Sequence, residues 1–242
     1  MKPNMVSSDA QLITIQRKST VFPQAPVHPL PLSLEFHCIT DYFIRWDMAK
    51  FEVCCHKFAD LSERGYGVSI LNDSKYGFAT CGNLMRLSLL RAAKAPDAHA
   101  DMGRHHIRWA IFPHNGELGP STVRAAFEFN NPLRLLRASR PLEFPVMVVG
   151  DPSLILDVVK RGEDDENVSR GELSKRKGRS VIVRVYESLG GTCRGVIETK
   201  LDVKKVFYTN LLEDDLKEVE IKDGKVAIEL RPFEVATWRF QL

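Results

Sequence analysis

The sequence has no apolar run near the roughly 18 residues that a membrane-spanning helix needs. Its longest apolar runs, at 145–150 and 153–159, are strand-sized, so no membrane partner is expected. Residues 1–20 lack the continuous apolar core of a secretory signal. Charge of one sign is nearly missing too: 34 Lys and Arg against 31 Asp and Glu leave a net +3. That excludes bulk binding of nucleic acid, which needs a strong basic field. Cysteine is sparse and odd in number (Cys38, Cys54, Cys55, Cys81, Cys193). No zinc spacing and no disulfide framework can be drawn from it. Adjacent Cys54 and Cys55 would face opposite sides of a strand. The five read as free thiols in a reducing compartment. Neither GxGxxG nor GxxxxGK[ST] occurs, so no loop cradles a nucleotide, and GxSxG is absent as well.

What is present is a chain of 242 residues, enough for one large or two small domains with a core of their own. Five of the 13 prolines fall in the first 36 residues, and 23–31 reads as an extended, polyproline-like stretch. Residues 1–44 are therefore expected to be a disordered leader. From 51 onward strand signals dominate. Residues 51–58 alternate Phe51, Val53 and Cys55 with polar partners. A hairpin is expected from 66–71 through the turn 72–75 to 76–81. Residues 84–90 place Met85, Leu87 and Leu89 on a buried face. A loop follows at 91–103, then a strand at 107–112 ended by Pro113. Residues 121–129 read as a short helix capped by Ser121 or as another strand. Strands follow at 154–159, 179–187, 195–200 and 203–208. Gly190-Gly191 signals a hairpin between the second and third of these. Asp223-Gly224 signals another, between 216–222 and 225–230, and 233–242 closes the chain. Many short strands without helical period predict an all-β sandwich, mostly antiparallel. No βαβ alternation supports a nucleotide-binding α/β domain or a complete barrel.

Candidate chemistry is thin. His99, His105, His106 and His114 match no metal-binding spacing and read as rim or packing histidines. The acidic runs 163–166 and 213–215 read as solvated loop ends, since neighbouring acids rarely face each other across a cleft as a glycosidase requires. Lys175-Arg176-Lys177-Gly178-Arg179, following the first acidic run, reads as part of a long charged hairpin loop, with no aromatics to stack bases. His56 and Asp60 are a candidate interstrand hydrogen bond. Lys160, Glu163 and Arg184 are a candidate charge network between neighbouring strands. Trp46, Trp109 and Trp238 could stack on sugar rings or pack in a core or interface.

The stretch 46–76 carries polar and aromatic residues inside strand-like segments, where they cost stability unless paired or functional. Within it stand Phe51-Glu52-Val53, His56, Asp60-Leu61-Ser62-Glu63, Tyr66-Gly67-Val68 and 71–77 (LNDSKYG). Further on come 86–91 (RLSLLR), Ala95-Pro96-Asp97, 100–105 (ADMGRH), Pro113-His114, 159–164 (VKRGED), 209–213 (TNLLE) and 230–235 (LRPFEV). In these motifs, long and in order over about four fifths of the chain, the sequence resembles the C-terminal region of the class II α-mannosidases. That is glycoside hydrolase family 38, in its cytosolic or vacuolar branch. Residues 1–44 do not match. Cys55 stands where a small residue is expected, and Phe58 where Trp is.

The resemblance implies a galactose-mutarotase-like supersandwich plus a small C-terminal β-sandwich, the larger part at 45–150 and the rest at 151–242. It implies a large retaining enzyme that removes terminal α-D-mannose from oligosaccharides in mannose metabolism and glycan catabolism. Its zinc and catalytic carboxylates lie in an N-terminal barrel. This chain is expected to be a C-terminal fragment beginning after that barrel. No catalytic residue, metal ligand or cofactor is assigned to it, and whether it acts as an enzyme is left open. Asp73, Asp97, Asp101 and Arg104 are the candidates for active-site rim or sugar contacts. The alternative is that the three aspartates cap turns and Arg104 pairs with one of them. Expected partners are a mannose-containing oligosaccharide, reached through the full enzyme, and a missing or separately encoded barrel. An exposed docking face would also favour homo-oligomers. The compartment is cytoplasmic or vacuolar. A stand-alone carbohydrate-binding or docking module is the alternative reading.

Overall fold

The computed structural model describes residues 52–242, apart from 82, 136, 138, 140–142, 167 and 169–175, together with the backbone of 11–16 and of Cys81. The rest of the proline-rich leader, with Cys38 and Trp46, lies outside the described residues. The chain divides into two compact units, Met1–Arg134 and Leu135–Leu242. Among the described residues all strand pairs are antiparallel.

The first unit contains β1 (Gln11–Gln16), β2 (Val53–Cys54), β3 (Phe58–Glu63), β4 (Tyr66–Asp73), β5 (Gly77–Cys81), β6 (Leu84–Leu90), β7 (Arg108–His114) and α1 (Pro120–Asn130). One sheet runs β1-β6-β5-β2 and the other β3-β4-β7. Both supply the same core: Ala59 and Ile70 from the second sheet meet Phe78, Met85 and Leu87 from the first. The alternation read in 84–90 thus sets which face of β6 goes inward.

Local chemistry moved several boundaries. The strand expected over 51–58 breaks at Lys57, whose φ of 62° turns the chain, and a separate strand starts at Phe58. The expected hairpin 66–81 does not form. Ser74, at φ 66°, ends β4, and the chain crosses to the opposite sheet, where β5 pairs with β2 and β6. Pro113 does not end β7: it sits opposite Val68 within the strand. β7 is an edge strand, where a missing N–H is tolerated. Residues 121–129 are helical, but the cap is Gly119 rather than Ser121. Pro120 takes the first helical position, which its fixed φ favours, and so moves the cap two residues back.

The second unit contains β8 (Val146–Gly150), β9 (Leu154–Arg161), β10 (Ser180–Glu187), β11 (Cys193–Thr199), β12 (Lys205–Thr209), β13 (Asp215–Val219), β14 (Lys225–Leu230) and β15 (Val235–Gln241). A five-stranded sheet, β13-β12-β15-β10-β9, faces a three-stranded one, β14-β11-β8. Val183, Val185, Val206, Trp238 and Phe240 of the larger sheet pack on Val146, Ile197, Val226, Ile228 and Leu230 of the smaller. Trp238 is a core residue, edge-on to Tyr208 at 5.9 Å between ring centroids.

Both expected hairpins of this half are crossovers instead. Asp223 and Gly224 do adopt positive φ, 48° and 71°, and Lys222 and Lys225 exchange hydrogen bonds across them. Beyond that bridge the strands part, β13 to β12 and β14 to β11. β10 and β11, flanking Gly190-Gly191, likewise enter different sheets. Glu187 organises that corner: buried, it accepts backbone N–H bonds from Leu189, Gly190 and Phe233 at 2.8–2.9 Å. Burial pushes its carboxyl up. The amides of Phe233, Leu189, Gly190 and Gly191 outweigh this and hold it below the usual carboxylate range.

Candidate functional site

In the first unit, polar residues meet where β4 ends, β7 begins and α1 ends. The register sets Asp73 opposite Arg108. Arg108 donates to Asp73 Oδ2 and to the Phe129 carbonyl, each at 3.2 Å, and its guanidinium lies 4.8 Å from the Phe129 ring centroid. Asn130 extends the corner by donating to the Asn72 carbonyl at 3.0 Å. Asn72 is itself buried, its N–H bonded to the Lys57 carbonyl. The pair is fixed from below by backbone. It remains open above, with about two fifths of each side chain exposed (43% for Arg108, 36% for Asp73).

The loop between β6 and β7 re-enters the sheet at Arg108, beside Asp73. Asp97, Asp101 and Arg104 are exposed on it. Asp97 accepts the His99 N–H at 2.8 Å, a local turn bond. Asp101 has φ 58°, and its carbonyl lies 2.7 Å from His105 Nε2. Among the described residues no hydrogen bond or ion pair joins Asp97, Asp101 or Arg104 to Asp73. The arginine that holds Asp73 is Arg108, which sequence reasoning missed. The signal for it was the register, since it is the first residue of a strand paired with β4.

Asp60 and His56 also have other partners than expected. Asp60 Oδ2 lies 2.6 Å from His114 Nε2 and accepts from Ser69 Oγ at 2.5 Å. Ser69 also reaches Thr122 Oγ1 on α1. These groups are buried and tie three strands to the helix. His56 instead meets Cys54 and the Tyr76 ring. The bend at Lys57 lies between them, leaving His56 in the connection before it and Asp60 in β3 after it. His114 joins Asp60 from β7, two strands away.

The second unit carries a larger polar cluster on the outer face of its five-stranded sheet. Arg239 is fully buried. It donates to Asp164 Oδ1 (2.8 Å), Asp215 Oδ1 (3.0 Å), Ser180 Oγ (2.8 Å) and the Glu213 carbonyl (2.7 Å). Arg176 bridges the same two aspartates. Asp165, also buried, accepts from Ser180 and Arg161. Burial raises the Asp164 carboxyl's pKa, but Arg176 and Arg239 more than reverse this and hold it low. Lys160 bonds Glu163 at 2.6 Å and Glu213 at 2.7 Å. Those two carboxylates hold its ammonium above the usual range against the effect of burial. Arg184 is elsewhere, donating to Thr237 Oγ1 and the Leu211 carbonyl.

The acidic runs are solvated only in part, with Glu163, Glu166 and Asp214 exposed. Asp164, Asp165 and Asp215 fold inward as counter-charges to Arg239, and Arg176 leaves the basic run to join them. Gly162 makes room: a Cβ there would meet Ser180 Oγ at 2.4 Å and Arg239 at 2.7 Å. With every partner satisfied, the cluster fits a structural clamp better than a reacting centre. Among the described residues no three His, Cys, Asp or Glu side chains converge to hold a metal ion. No described helix is long and apolar enough to cross a membrane.

Comparison with known proteins follows the same two-part layout. Residues 39–99 match the family described as "Glycosyl hydrolases family 38 C-terminal domain". Residues 153–238 match "Glycosyl hydrolases family 38 C-terminal beta sandwich domain". The chain is 49% identical over 212 residues to an alpha-mannosidase of Saccharomyces cerevisiae (strain ATCC 204508 / S288c), covering 83% of this chain and 20% of the yeast protein. It is 36% identical over 202 residues to alpha-mannosidase 2C1 of Homo sapiens, covering 81% and 18%. An alpha-mannosidase structure from Enterococcus faecalis V583 superposes with a TM-score of 0.58 at 18% identity, over 78% of this chain and 21% of that one. That likeness shows the fold. The chain spans about a fifth of the length of these relatives.

Proposed function

The chain belongs to glycoside hydrolase family 38 through its C-terminal domains, and from that membership we propose that it is the β-sheet portion of an α-mannosidase. Its role is to brace a catalytic barrel and supply contacts at the active-site rim. The whole enzyme would hydrolyse terminal α-D-mannose from oligosaccharides, with its nucleophile and zinc in the barrel. This chain alone would be silent. The work would take place in the cytoplasm or vacuole, as the branch resemblance suggests. Asp73 is the rim residue this reading favours most, now with Arg108 as its partner. Asp97, Asp101 and Arg104 remain candidates from the adjoining loop.

The observation that carries the reading is the Asp73–Arg108 corner. A carboxylate and a guanidinium, held by backbone yet open to solvent, offer fixed acceptors and donors, and a sugar hydroxyl both donates and accepts. The test is hydrolysis of a chromogenic α-mannoside by the purified chain, with and without zinc. Silence in both supports the reading, and metal-dependent turnover that survives repurification overturns it.

A second reading, a stand-alone carbohydrate-binding or docking module, draws on the exposed Trp109 beside that corner. Saturable heat on titration with a mannose oligosaccharide favours it, and a flat titration removes the carbohydrate-binding form.

A further inference from the structure

We propose that Cys54 and His56 form a thiol-modification site that takes small disulfides. Cys54 is an exposed thiol on β2. His56 lies two residues on, just before the bend at Lys57, and its Nε2 comes within 3.1 Å of the Cys54 sulfur. Tyr76, which precedes the partner of Cys54 in β5, packs its ring on the imidazole, 4.2 Å between centroids at 39°. An exposed nucleophile, a base within bonding reach and a ring that orients the base are the parts that activate a thiol.

The other thiols described with their side chains provide internal controls. Cys55, one residue away, is buried, and its S–H donates to the Phe58 carbonyl at 2.9 Å. Cys193 is buried in the second unit, where burial above all pushes its thiol up and away from the reactive form. Two adjacent cysteines therefore have opposite fates, since only Cys54 combines exposure with a base.

The small disulfide is itself the oxidant. His56 takes the Cys54 proton, and the sulfur attacks one sulfur of the disulfide. The disulfide bond breaks, the departing thiolate takes the proton back from the imidazolium, and the products are a mixed disulfide on Cys54 and one free thiol. The site shares the Lys57 bend with the Asp73 corner, because the Asn72 N–H bonds the Lys57 carbonyl. An adduct would add bulk close to that corner. The proposal does not depend on the mannosidase reading.

The experiment treats the reduced full chain with glutathione disulfide, and separately with iodoacetamide, at neutral pH, and maps adducts by mass spectrometry. Cys54→Ser identifies the modified member of the adjacent pair. The native Cys54 is expected to react faster than the same residue in chain unfolded by guanidinium, and well before Cys55 and Cys193. His56→Asn is expected to slow it about tenfold, less than a buried general base contributes because the site is open to water. The comparison with unfolded chain needs no variant, so it stands even if His56→Asn fails to fold. Native Cys54 reacting no faster than in the unfolded chain overturns the proposal. So does an unchanged rate in a folded His56→Asn.

Discussion

Arg239 reaches Asp164 across 75 positions of sequence, its Nη1 2.8 Å from Oδ1, with no part of the guanidinium side chain exposed. β15 is thereby fastened to the connection between β9 and β10. Ionised groups taken out of water are costly unless each finds its partners, and removing one partner exposes that cost.

Arg239→Leu is therefore expected to destabilise the second unit by about 3–5 kcal/mol, because Asp164, Asp165 and Asp215 lose their shared counter-charge. Urea unfolding followed by Trp238 fluorescence reads this directly. A midpoint shift worth less than about 1 kcal/mol would mean the cluster is decorative. Replacing Arg239 together with its aspartates by apolar residues of similar volume is expected to cost far less than the single change.

How much of this was legible in the sequence depends on range. Alternation located most strands, because a face such as Met85 and Leu87 is set by neighbours two positions apart. Strand partners were not legible. Asp223-Gly224 specifies its turn, but Val219 and Val226 are drawn into opposite sheets by a core assembled from the whole unit. The acidic runs were read as solvated because Arg239, Ser180 and Arg176 lie far away in sequence. Asp73 was named only through the family resemblance, as a turn residue, whereas Arg108 needed the β4–β7 register. His56 and Asp60 were read as an interstrand pair, but the bend at Lys57 separates them and Asp60 takes His114 from β7 instead.

Glu187 makes acid sensitivity testable. Its folded carboxyl lies below the usual range, so its contribution is fully present above the unfolded carboxylate pKa and is lost as pH falls through the folded value. Asp164 acts in the same direction. Glu187→Gln replaces an acceptor by a donor facing backbone N–H groups. It is expected to cost about 1–3 kcal/mol at neutral pH and to flatten the loss of stability between about pH 5 and pH 2. Stability measured by urea midpoint across that range checks it. An unaltered slope in the variant would assign the acid limb to other carboxylates.

The rim assignment separates binding from folding. Asp73 and Arg108 are exposed enough that Arg108→Ala should move thermal stability little, within about 1 kcal/mol for a surface pair. In an active enzyme carrying this chain, Arg108→Ala and Asp73→Asn are each expected to lower kcat/KM for an oligosaccharide about tenfold or more. A small aryl mannoside that does not reach the rim should be affected less. Equal losses on both substrates would place the pair away from the rim.

The most direct measurement is a chimera in which this chain, from residue 45 on, replaces the matching last part of the yeast α-mannosidase, to which it is 49% identical. The account predicts a folded chimera that hydrolyses α-mannosides at a rate within about tenfold of the parent enzyme, while the chain by itself is silent. A chimera that folds and assembles but lacks activity would contradict it, as would turnover by the chain alone.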